Sequence, residues 1–338
     1  MSATPETLRA SPRPVLVTGA TGFVGSAVVR HLLEGGVPVR ILRRASSPLD
    51  QLGSDAARVE HAVGDVTDAE SVREAVRGVG VVFHVAGIVA LGAASRRRVW
   101  AVNAAGTTHT VDAALAEGVE AFVYTSSIAA LGRPDTPGAP IDETAVWTRS
   151  KANTAYAESK RAGEREALRG AAEGMHAVVV NPALVFGPGR PDEGTNAVVA
   201  RLRRGRVPAA PPGGTSVVDV EDVAAGILAA WRRGASGERY ILAGEALSWT
   251  EILAVLAQAL GVAAPRRTAP AWALWVAGAL SEAVQALGGP DAGLSREAAR
   301  TASGVFAYRA AKAERELGAT FRPFAETAAR IAAALPAA

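Results

Sequence analysis

The chain has 338 residues, of which 49% are hydrophobic and 20% charged, with a formal net charge of +3 and no cysteine. This length allows one large core and a second lobe, because single cores stop growing at about 250–300 residues. The absence of cysteine excludes disulfides, thiolate metal ligands and a cysteine nucleophile, and it fits a reducing compartment. We therefore expect a cytoplasmic globular protein without a metal site.

Three segments bear on targeting and on large partners. Residues 1–12 are polar and contain two prolines, without the apolar run of a secretory signal, so we expect a loose tail. The arginine clusters at residues 96–98 and 201–206 lack interleaved aromatics, so nucleic-acid binding is not expected. The apolar segment 271–287 is shorter than the ~20 residues that span a bilayer. We expect it to form a buried or substrate-covering helix, with association with a membrane surface as the alternative.

Short apolar runs alternate with longer helical stretches over the first half of the chain. The runs predict strands at residues 15–17, 37–42, 59–63, 79–85, 121–125 and 177–180. The intervening patterns predict helices at residues 24–34, 68–77, 95–117 and 156–171. Continuously apolar strands that alternate with helices are typical of a parallel sheet covered on both faces. We therefore predict an α/β fold with a doubly wound parallel sheet and right-handed crossovers.

A glycine-rich turn connects the first strand to the first helix. It reads Thr18-Gly-Ala-Thr-Gly-Phe-Val-Gly25, which places the glycines with the spacing G-x-x-G-x-x-G. Such a turn lets the backbone approach a pyrophosphate, while the helix N-terminus supplies N–H groups and a partial positive charge. In this strand–turn–helix context the motif predicts a dinucleotide site. Its contacts are expected from Gly19, Thr21, Gly22, Phe23, Val24 and Gly25.

The residues after the second and third strands indicate which dinucleotide binds. An NAD-selective site often carries an acidic residue after the second strand, but here that strand ends in Arg43 and Arg44. Two guanidinium groups suit a 2′-phosphate. We therefore favour NADP(H), with NAD(H) as the alternative. Asp65 and Val66 follow the third strand, where Asp65 either accepts a hydrogen bond from the adenine amino group or caps the next helix.

Two further elements carry candidate catalytic side chains. Tyr156 and Lys160 lie at the start of a predicted helix, where a spacing of four puts them on one face. A free phenol has a pKa of about 10, and a neighbouring ammonium is expected to lower that pKa. Ser126 and Ser127 end the fifth strand, at the sheet edge where α/β proteins bind ligands. The set predicts a hydroxyl that orients a carbonyl oxygen and a phenol that exchanges its proton.

These motifs belong to a longer pattern that runs nearly from end to end. Beside residues 18–25, 124–127 and 156–160 it comprises Gly64-Asp65, His84-Val-Ala-Gly87, Val102-Asn103-Ala-Ala-Gly-Thr107, Asn181-Pro-Ala-Leu-Val-Phe-Gly-Pro188, Val218-Asp-Val-Glu-Asp-Val-Ala224 and Lys312-Ala-Glu-Arg-Glu-Leu-Gly318. With it the chain resembles the extended short-chain dehydrogenases/reductases, which include the NAD-dependent epimerase/dehydratase family. Within that group it is most similar to the dihydroflavonol-4-reductase-like and hopanoid-associated branches.

The resemblance implies roles for individual residues. Tyr156 would be the general acid/base, Lys160 its partner and Ser127 the carbonyl anchor, with Ser126 as the other candidate anchor. Further cofactor contacts are implied for Val85, Ala86, Gly87, Asn103, Thr125, Ser126, Pro182, Ala183 and Val185. His84 would be a strand-end residue packed beside the cofactor, and Asp222 would cap a helix. The resemblance also implies a Rossmann-type sheet and a homodimer formed through the helices that flank the fifth strand.

The chain is expected to divide near residue 181, where glycine and proline begin to punctuate the pattern. We predict a dinucleotide-binding domain over residues 13–181. Residues 182–338 would mainly form a smaller substrate-binding lobe, with some segments returning to the main sheet. That lobe, with Trp147, Arg190, Trp231, Trp249, Trp272 and Trp275 nearby in sequence, is expected to enclose a small-molecule substrate. Such tryptophans are more often core residues than pocket walls, so only part of the segment 271–288 is expected to border the pocket.

Departures from the family pattern narrow the chemistry. Residues 127–130 read Ser-Ile-Ala-Ala, which lacks the acid and base that sugar-nucleotide 4,6-dehydratases carry there. We predict an NADP(H)-dependent oxidoreductase that reduces a ketone or aldehyde, or oxidises the alcohol. One alternative is an NAD-dependent nucleotide-sugar epimerase, which needs only the same three side chains. Another is a non-catalytic dinucleotide-sensing regulator, against which the presence of both Tyr156 and Lys160 argues.

Overall fold

The computed structural model describes residues 13–90, 92, 95–132, 139–148, 153–287 and 295–335. The predicted tail at residues 1–12 lies outside the described residues. Within the described part of the chain, no helix combines the length and the apolar content needed to cross a membrane.

A seven-stranded parallel sheet forms the centre of the fold, and it confirms the predicted class. Its strand order is β3-β2-β1-β4-β5-β6-β9. The strands are β1 (Val15–Thr18), β2 (Val39–Arg43), β3 (Glu60–Val63), β4 (Val81–His84), β5 (Ala121–Thr125), β6 (His176–Pro182) and β9 (Arg239–Leu242). The order reverses between β1 and β4, so a crevice opens at the carboxyl ends of these two strands, where doubly wound sheets bind ligands.

Helices cover both faces of this sheet. Helices α1 (Phe23–Glu34) and α7 (Val220–Arg233) pack on one face. Helices α2 (Ala69–Val76), α4 (Gly106–Ala116) and α5 (Ala155–Ala172) pack on the other. Successive strand residues therefore enter different cores, as Leu16 and Val17 do, and both are fully buried. This two-sided burial is the physical reason for the continuously apolar strands.

The long helix before β5 is interrupted by a wider turn. Helix α3 (Arg96–Trp100) continues through a π-helical turn (Ala101–Ala105) into α4. The three pieces together correspond to the single helix predicted at residues 95–117. A π-helical turn often accompanies a functional site, and here it places Asn103 fully inside the protein.

A second, smaller unit is built mainly from the C-terminal half. Strand β8 (Gly214–Asp219) pairs antiparallel with β10 (Ala246–Ser248) and parallel with both β7 (Leu184–Phe186) and β11 (Val305–Phe306). Helices α6 (Gly194–Arg203), α8 (Trp249–Leu260) and α11 (Phe324–Ala334) pack around the buried ring of Phe186. Its centroid lies 5.0 Å from that of Phe324.

Helices α9 (Ala271–Ala286) and α10 (Arg296–Ser303) pack against each other at the edge of this unit. The expectation that the apolar segment 271–287 is buried is wrong. Trp272 is 71% exposed and Leu280 is 63% exposed. The helix contacts the rest of the protein through its less apolar face, so the apolar side chains are left outside.

Two predicted roles in the C-terminal half are also corrected. Trp231 lies in the main core, where its ring meets Phe83 edge-on at 5.5 Å, so it does not enclose a substrate. Asp222 does not cap a helix, because α7 begins at Val220 and its cap is Asp219. The Asp222 carboxylate instead accepts hydrogen bonds from the backbone N–H and guanidinium of Arg322, at 2.8 and 2.6 Å.

Candidate active site

The glycine turn has the geometry of a phosphate-binding turn. Gly19 adopts a left-handed conformation, and a Cβ there would lie 2.7 Å from the Ala86 backbone. A Cβ at Gly25 would lie 2.1 Å from the Gly19 carbonyl oxygen. Helix α1 starts at Phe23 with neither a side-chain cap nor an acidic residue in its first turn. Its N–H groups and positive end therefore suit the pyrophosphate of a dinucleotide.

The end of β2 presents the basic side chains that the sequence predicts at the adenosine end of a dinucleotide. Arg43 donates from Nε to His61 Nδ1 at 2.8 Å and from Nη1 to the Arg44 carbonyl oxygen at 3.2 Å. Arg44 is exposed. Asp65 does not cap α2, because the N-cap of that helix is Asp68. The Asp65 carboxylate accepts hydrogen bonds from the Thr67 N–H and hydroxyl in the loop after β3.

Arg190 lies at this same adenosine end, although it was expected to help enclose the substrate. Its guanidinium grips the Asp50 carboxylate through two hydrogen bonds, at 2.8 and 2.5 Å, and approaches the Thr21 carbonyl oxygen at 3.4 Å. These bonds lower the pKa of Asp50. The connection after β7 crosses the sheet edge close to α1, since a Cβ at Gly189 would meet the Phe23 ring at 2.9 Å. That crossing carries Arg190 away from the catalytic side chains.

The predicted catalytic side chains meet at the carboxyl end of β5. The Lys160 ammonium is buried and donates to the Thr125 carbonyl oxygen at 2.8 Å. The Ser127 hydroxyl accepts from the Ala129 N–H at 3.1 Å, which leaves its own proton to donate. Of the two candidate serines, Ser127 is the one whose hydroxyl lies close enough to Tyr156 to lower the pKa of its phenol.

The pKa of the Tyr156 phenol is shifted in the direction opposite to the expected one. Burial raises it above its ordinary value, because the phenolate loses hydration, and the nearby Ser127 hydroxyl only partly offsets this rise. The lowering expected from Lys160 is therefore wrong for this arrangement. Tyr156 is held in its protonated form, which is the form that can donate a proton.

The loop after β4 is fixed beside Lys160. The Asn103 amide accepts from the Ile88 N–H at 2.9 Å and donates to the Ile88 carbonyl at 3.0 Å and to Ser159 at 3.1 Å. A Cβ on Gly87 would lie 3.0 Å from Lys160 Nζ. Because Gly87 has no side chain, nothing at this position covers the Lys160 ammonium. Asn103 acts by positioning the loop.

His84 is an internal link and not a proton donor. Its ring is fully buried, with Nδ1 2.8 Å from the Thr18 hydroxyl and Nε2 3.1 Å from the Thr107 hydroxyl. Burial, together with the nearby charge of Lys160, lowers its pKa to about 3, so the ring stays neutral. His84 joins the strand before the glycine turn to α4.

Four further predicted cofactor contacts lie at or shortly after the carboxyl ends of strands in the main sheet. Val66, Ala86, Thr125 and Ala183 are buried or nearly so, and the Thr125 hydroxyl lacks a hydrogen-bond partner among the described residues. The backbone of Ala183 donates to Leu242, which ties the Pro182–Val185 connection to the sheet edge. A buried hydroxyl that the protein itself does not satisfy fits a site completed by a ligand.

Glu164 is a buried residue of the site that the sequence interpretation missed. It lies one helical turn beyond Lys160 and is 3% exposed. Its carboxylate accepts from the Asn181 amide at 2.6 Å, and that amide also donates to the Ser127 carbonyl. Burial raises the pKa of Glu164, while Asn181 and Arg239 oppose the rise. The signal available in the sequence was a second spacing of four, Tyr156–Lys160–Glu164.

Replacing Glu164 with glutamine is expected to shift the pH profile of catalysis. Burial lowers the pKa of Lys160 to about 8, and the negative charge of Glu164 opposes that lowering. For the carbonyl reduction predicted from the sequence, kcat/KM should fall as pH rises through about 8, because Lys160 loses its charge. In Glu164→Gln this alkaline limb should move to lower pH by about one unit. The measurement is kcat/KM against pH.

A matched control on the same helix is Glu166→Gln. Glu166 is partly exposed and pairs with Arg169 at 2.9 Å, away from Lys160. Its pH profile should equal that of the unmodified protein. An unshifted limb in Glu164→Gln, together with a lower melting temperature, would mean that Glu164 only supports the fold.

Comparison with known proteins agrees with this geometry. The model of the NAD dependent epimerase/dehydratase family matches residues 15–243. A Synechocystis sp. protein provisionally named dihydroflavonol 4-reductase is 38% identical over 308 residues, covering 89% of this chain and 88% of the relative. Sterol demethylase protein B of Methylococcus capsulatus is 35% identical over 259 residues, covering 75% and 77%.

Solved structures show the same fold. The crystal structure of gox2253 superposes with a TM-score of 0.81 at 34% identity, covering 95% of this chain and 97% of that one. A dTDP-glucose 4,6-dehydratase from Streptomyces venezuelae, solved with NAD bound, has a TM-score of 0.76 at 23% identity, with 95% and 96% covered. This second likeness concerns the fold alone. With its glycine turn, Tyr156–Lys160 pair and matched length, the chain belongs to the NAD dependent epimerase/dehydratase family of extended short-chain dehydrogenases/reductases and is an NAD(P)-dependent enzyme.

Proposed function

We propose that the chain is an NADP(H)-dependent oxidoreductase that reduces a ketone or aldehyde, or oxidises the corresponding alcohol. One observation carries the proposal. The Ser127 hydroxyl lies close enough to the Tyr156 phenol to lower its pKa, and the buried Lys160 ammonium lies at the same carboxyl edge of β5, beside exposed Gly87. This is the arrangement that a carbonyl oxygen needs for both orientation and protonation.

The residues that would hold the dinucleotide are spread along the crevice. The turn Gly19–Gly25 and the N-terminus of α1 suit its pyrophosphate, and Arg43 and Arg44 suit an adenosine phosphate. Gly87, Thr125 and Lys160 suit its other end. When bound, the nicotinamide supplies the hydride.

The protein's own groups supply the proton. Ser127 and Tyr156 hold the carbonyl oxygen by donating hydrogen bonds to it. Tyr156 then gives its phenolic proton to that oxygen, which becomes the alcohol hydroxyl. The phenolate left behind is stabilised by the Lys160 ammonium one helical turn away and regains a proton from solvent. Alcohol oxidation runs the same proton path backwards.

The preference for NADP(H) predicts the effect of changing Arg44. Arg44→Gln should raise the KM for NADPH about tenfold and leave the KM for NADH nearly unchanged, because a charge-assisted contact to the 2′-phosphate is lost. Steady-state kinetics with both cofactors measures this. Arg58→Gln is the control, since Arg58 is an exposed arginine that pairs with Asp55. Equal rises in both KM values would contradict the assignment.

The substrate is proposed to be a bulky and largely apolar carbonyl compound. Apolar residues adjoin the candidate catalytic residues in the sequence. Ile128 directly follows Ser127, and the exposed Val89 directly follows Ile88, which Asn103 holds. Relatives named for a dihydroflavonol and for a sterol support the same class.

The test is consumption of NADPH with a panel containing a steroid ketone, a dihydroflavonol and a nucleotide sugar. Turnover of the ring ketones is expected. Co-purified NAD, with interconversion of the nucleotide sugar and no net NADPH consumption, would instead identify an epimerase.

A further inference from the structure

Helix α9 is amphipathic, but its apolar side chains face outward and its polar side chains face the protein, which is the opposite of an ordinary surface helix. Side chains advance by about 100° per residue, so the spacing of its apolar residues puts them on one half of the helix. These residues are all exposed, and Leu287 just beyond the helix end is 89% exposed. They are Trp272, Trp275, Val276, Leu280, Val284 and Leu287. We call this surface the α9 outer face.

The opposite half of α9 faces the protein and contains its polar residues. Glu282 accepts from the Arg296 backbone N–H at 2.9 Å and from its guanidinium at 2.6 Å. Gly278 allows close contact, because a Cβ there would lie 2.7 Å from the Ser295 backbone. These contacts fix the rotation of the helix, so the apolar half cannot turn inward without breaking them.

Among the described residues that flank α9 in the sequence, the exposed charged side chains are all positive. Between residues 261 and 304, the exposed charged residues among those described are Arg266, Arg267, Arg296 and Arg300. Glu282 and Glu297 are partly buried and bonded to Arg296 and to the Gly92 N–H. The face itself carries no charge. Its surroundings therefore attract an anionic surface and repel a second copy of the same face.

An aromatic groove completes this surface. A groove of about 480 Å³ opens between α9 and α10, lined by Trp272, Trp275, Arg300 and Phe306 among others. Indole rings beside guanidinium groups are typical of the boundary between lipid headgroups and acyl chains, since their apolar bodies are buried while their polar atoms stay hydrated.

We propose that the α9 outer face binds the surface of an anionic lipid membrane, with the helix lying in the membrane plane. The apolar side chains enter the acyl boundary, and the surrounding arginines contact the headgroups. The inference stands independently of the proposed reaction. It does place the active site near the lipid, because Glu297 on α10 holds Gly92 in the loop after β4.

Co-sedimentation of the full chain with vesicles tests the proposal. Binding to phosphatidylcholine vesicles that contain phosphatidylglycerol should exceed binding to phosphatidylcholine alone by at least about tenfold and fall with added salt. The double variant Trp272→Gln/Leu280→Gln should lose at least about tenfold in binding. Both side chains are exposed, so the variant should keep its melting temperature. Val146→Gln, which changes a side chain that is 78% exposed elsewhere, should bind normally.

A second variant separates the contribution of the arginine charges to membrane binding from that of apolar side-chain insertion. Arg266→Gln/Arg267→Gln should bind anionic vesicles more weakly and show less salt dependence. Equal binding of the Trp272→Gln/Leu280→Gln variant and the unmodified protein, or no vesicle binding at all, would overturn the proposal. The proposal would also be overturned if sedimentation of the protein alone showed that the substitutions act only by converting a dimer into monomers. NADPH turnover in vesicle-free buffer is measured separately, so a failure there bears on the proposed function alone.

Discussion

Replacing Tyr156 with phenylalanine is expected to lower kcat for carbonyl reduction by at least about 100-fold and to leave the Kd of the cofactor unchanged. The substitution removes one oxygen atom, which is the proposed proton donor. Burial raises the pKa of this phenol and so keeps it protonated, and the Ser127 hydroxyl lies beside it. Ser127 and Lys160 remain in the variant, so the carbonyl can still be oriented but has no acid next to its oxygen. Single-turnover kinetics and cofactor titration measure the two quantities.

Tyr240→Phe is the matched control for this loss. The Tyr240 hydroxyl accepts from the Ala235 N–H at 3.0 Å in a buried part of β9, away from the catalytic edge. Its removal should reduce stability by about 1 kcal/mol and leave kcat unchanged. If Tyr156→Phe retained full turnover, the proton donor would have to be another group. Unchanged binding of the cofactor with no turnover would also exclude a purely dinucleotide-sensing role for the unmodified site.

Replacing Gly25 with alanine is expected to abolish most of the cofactor affinity. The added Cβ would lie 2.1 Å from the Gly19 carbonyl oxygen and 2.9 Å from the Ala20 Cα. Backbone atoms cannot yield as a flexible side chain would, so α1 must move away from the turn. That movement displaces the N–H groups that suit the pyrophosphate. We expect the Kd for NADPH to rise at least about tenfold and the free energy of unfolding to fall by about 1–3 kcal/mol.

Gly35→Ala, at the other end of the same helix, provides the control. Its φ is −78°, and an added Cβ would approach no atom closer than 3.4 Å. This variant should keep both its stability and its cofactor affinity. Weakened binding in Gly35→Ala as well would mean that α1 tolerates no substitution, and the effect at Gly25 would then say nothing specific about the turn.

Much of the candidate site was predictable, because its signals are local in the sequence. The boundaries of the predicted strands agree with the observed ones to within two residues. The prediction works because parallel strands buried on both faces must be continuously apolar. The glycine spacing and the Tyr156–Lys160 spacing are likewise properties of single segments. Local spacing did not distinguish Ser126 from Ser127, which differ only in the direction that each side chain takes at the end of β5.

Some features of the site depend on distant contacts. Arg190 reaches Asp50 across 140 residues of sequence, and only the path of the chain after β7 puts it at the adenosine end. The pKa of Tyr156 depends on how deeply α5 buries it, so a rule based on a neighbouring ammonium gave the wrong direction. The local sequence around Glu164 does not distinguish it from any other glutamate on a helix. Its role follows from its burial beside Lys160 and Asn181.

The sequence by itself determined the class of the sheet and the position of the glycine turn, and it predicted the proposed acid–base pair, because periodicity and short spacings are enough to specify these features. The tertiary structure alone decided which serine lies beside Tyr156, where Arg190 lies and which half of α9 faces outward. Each of these depends on the free energy of packing segments that are far apart in the chain, which no local pattern encodes. In α9, the bond from Arg296 to Glu282 and the close contact at Gly278 direct the tryptophans outward.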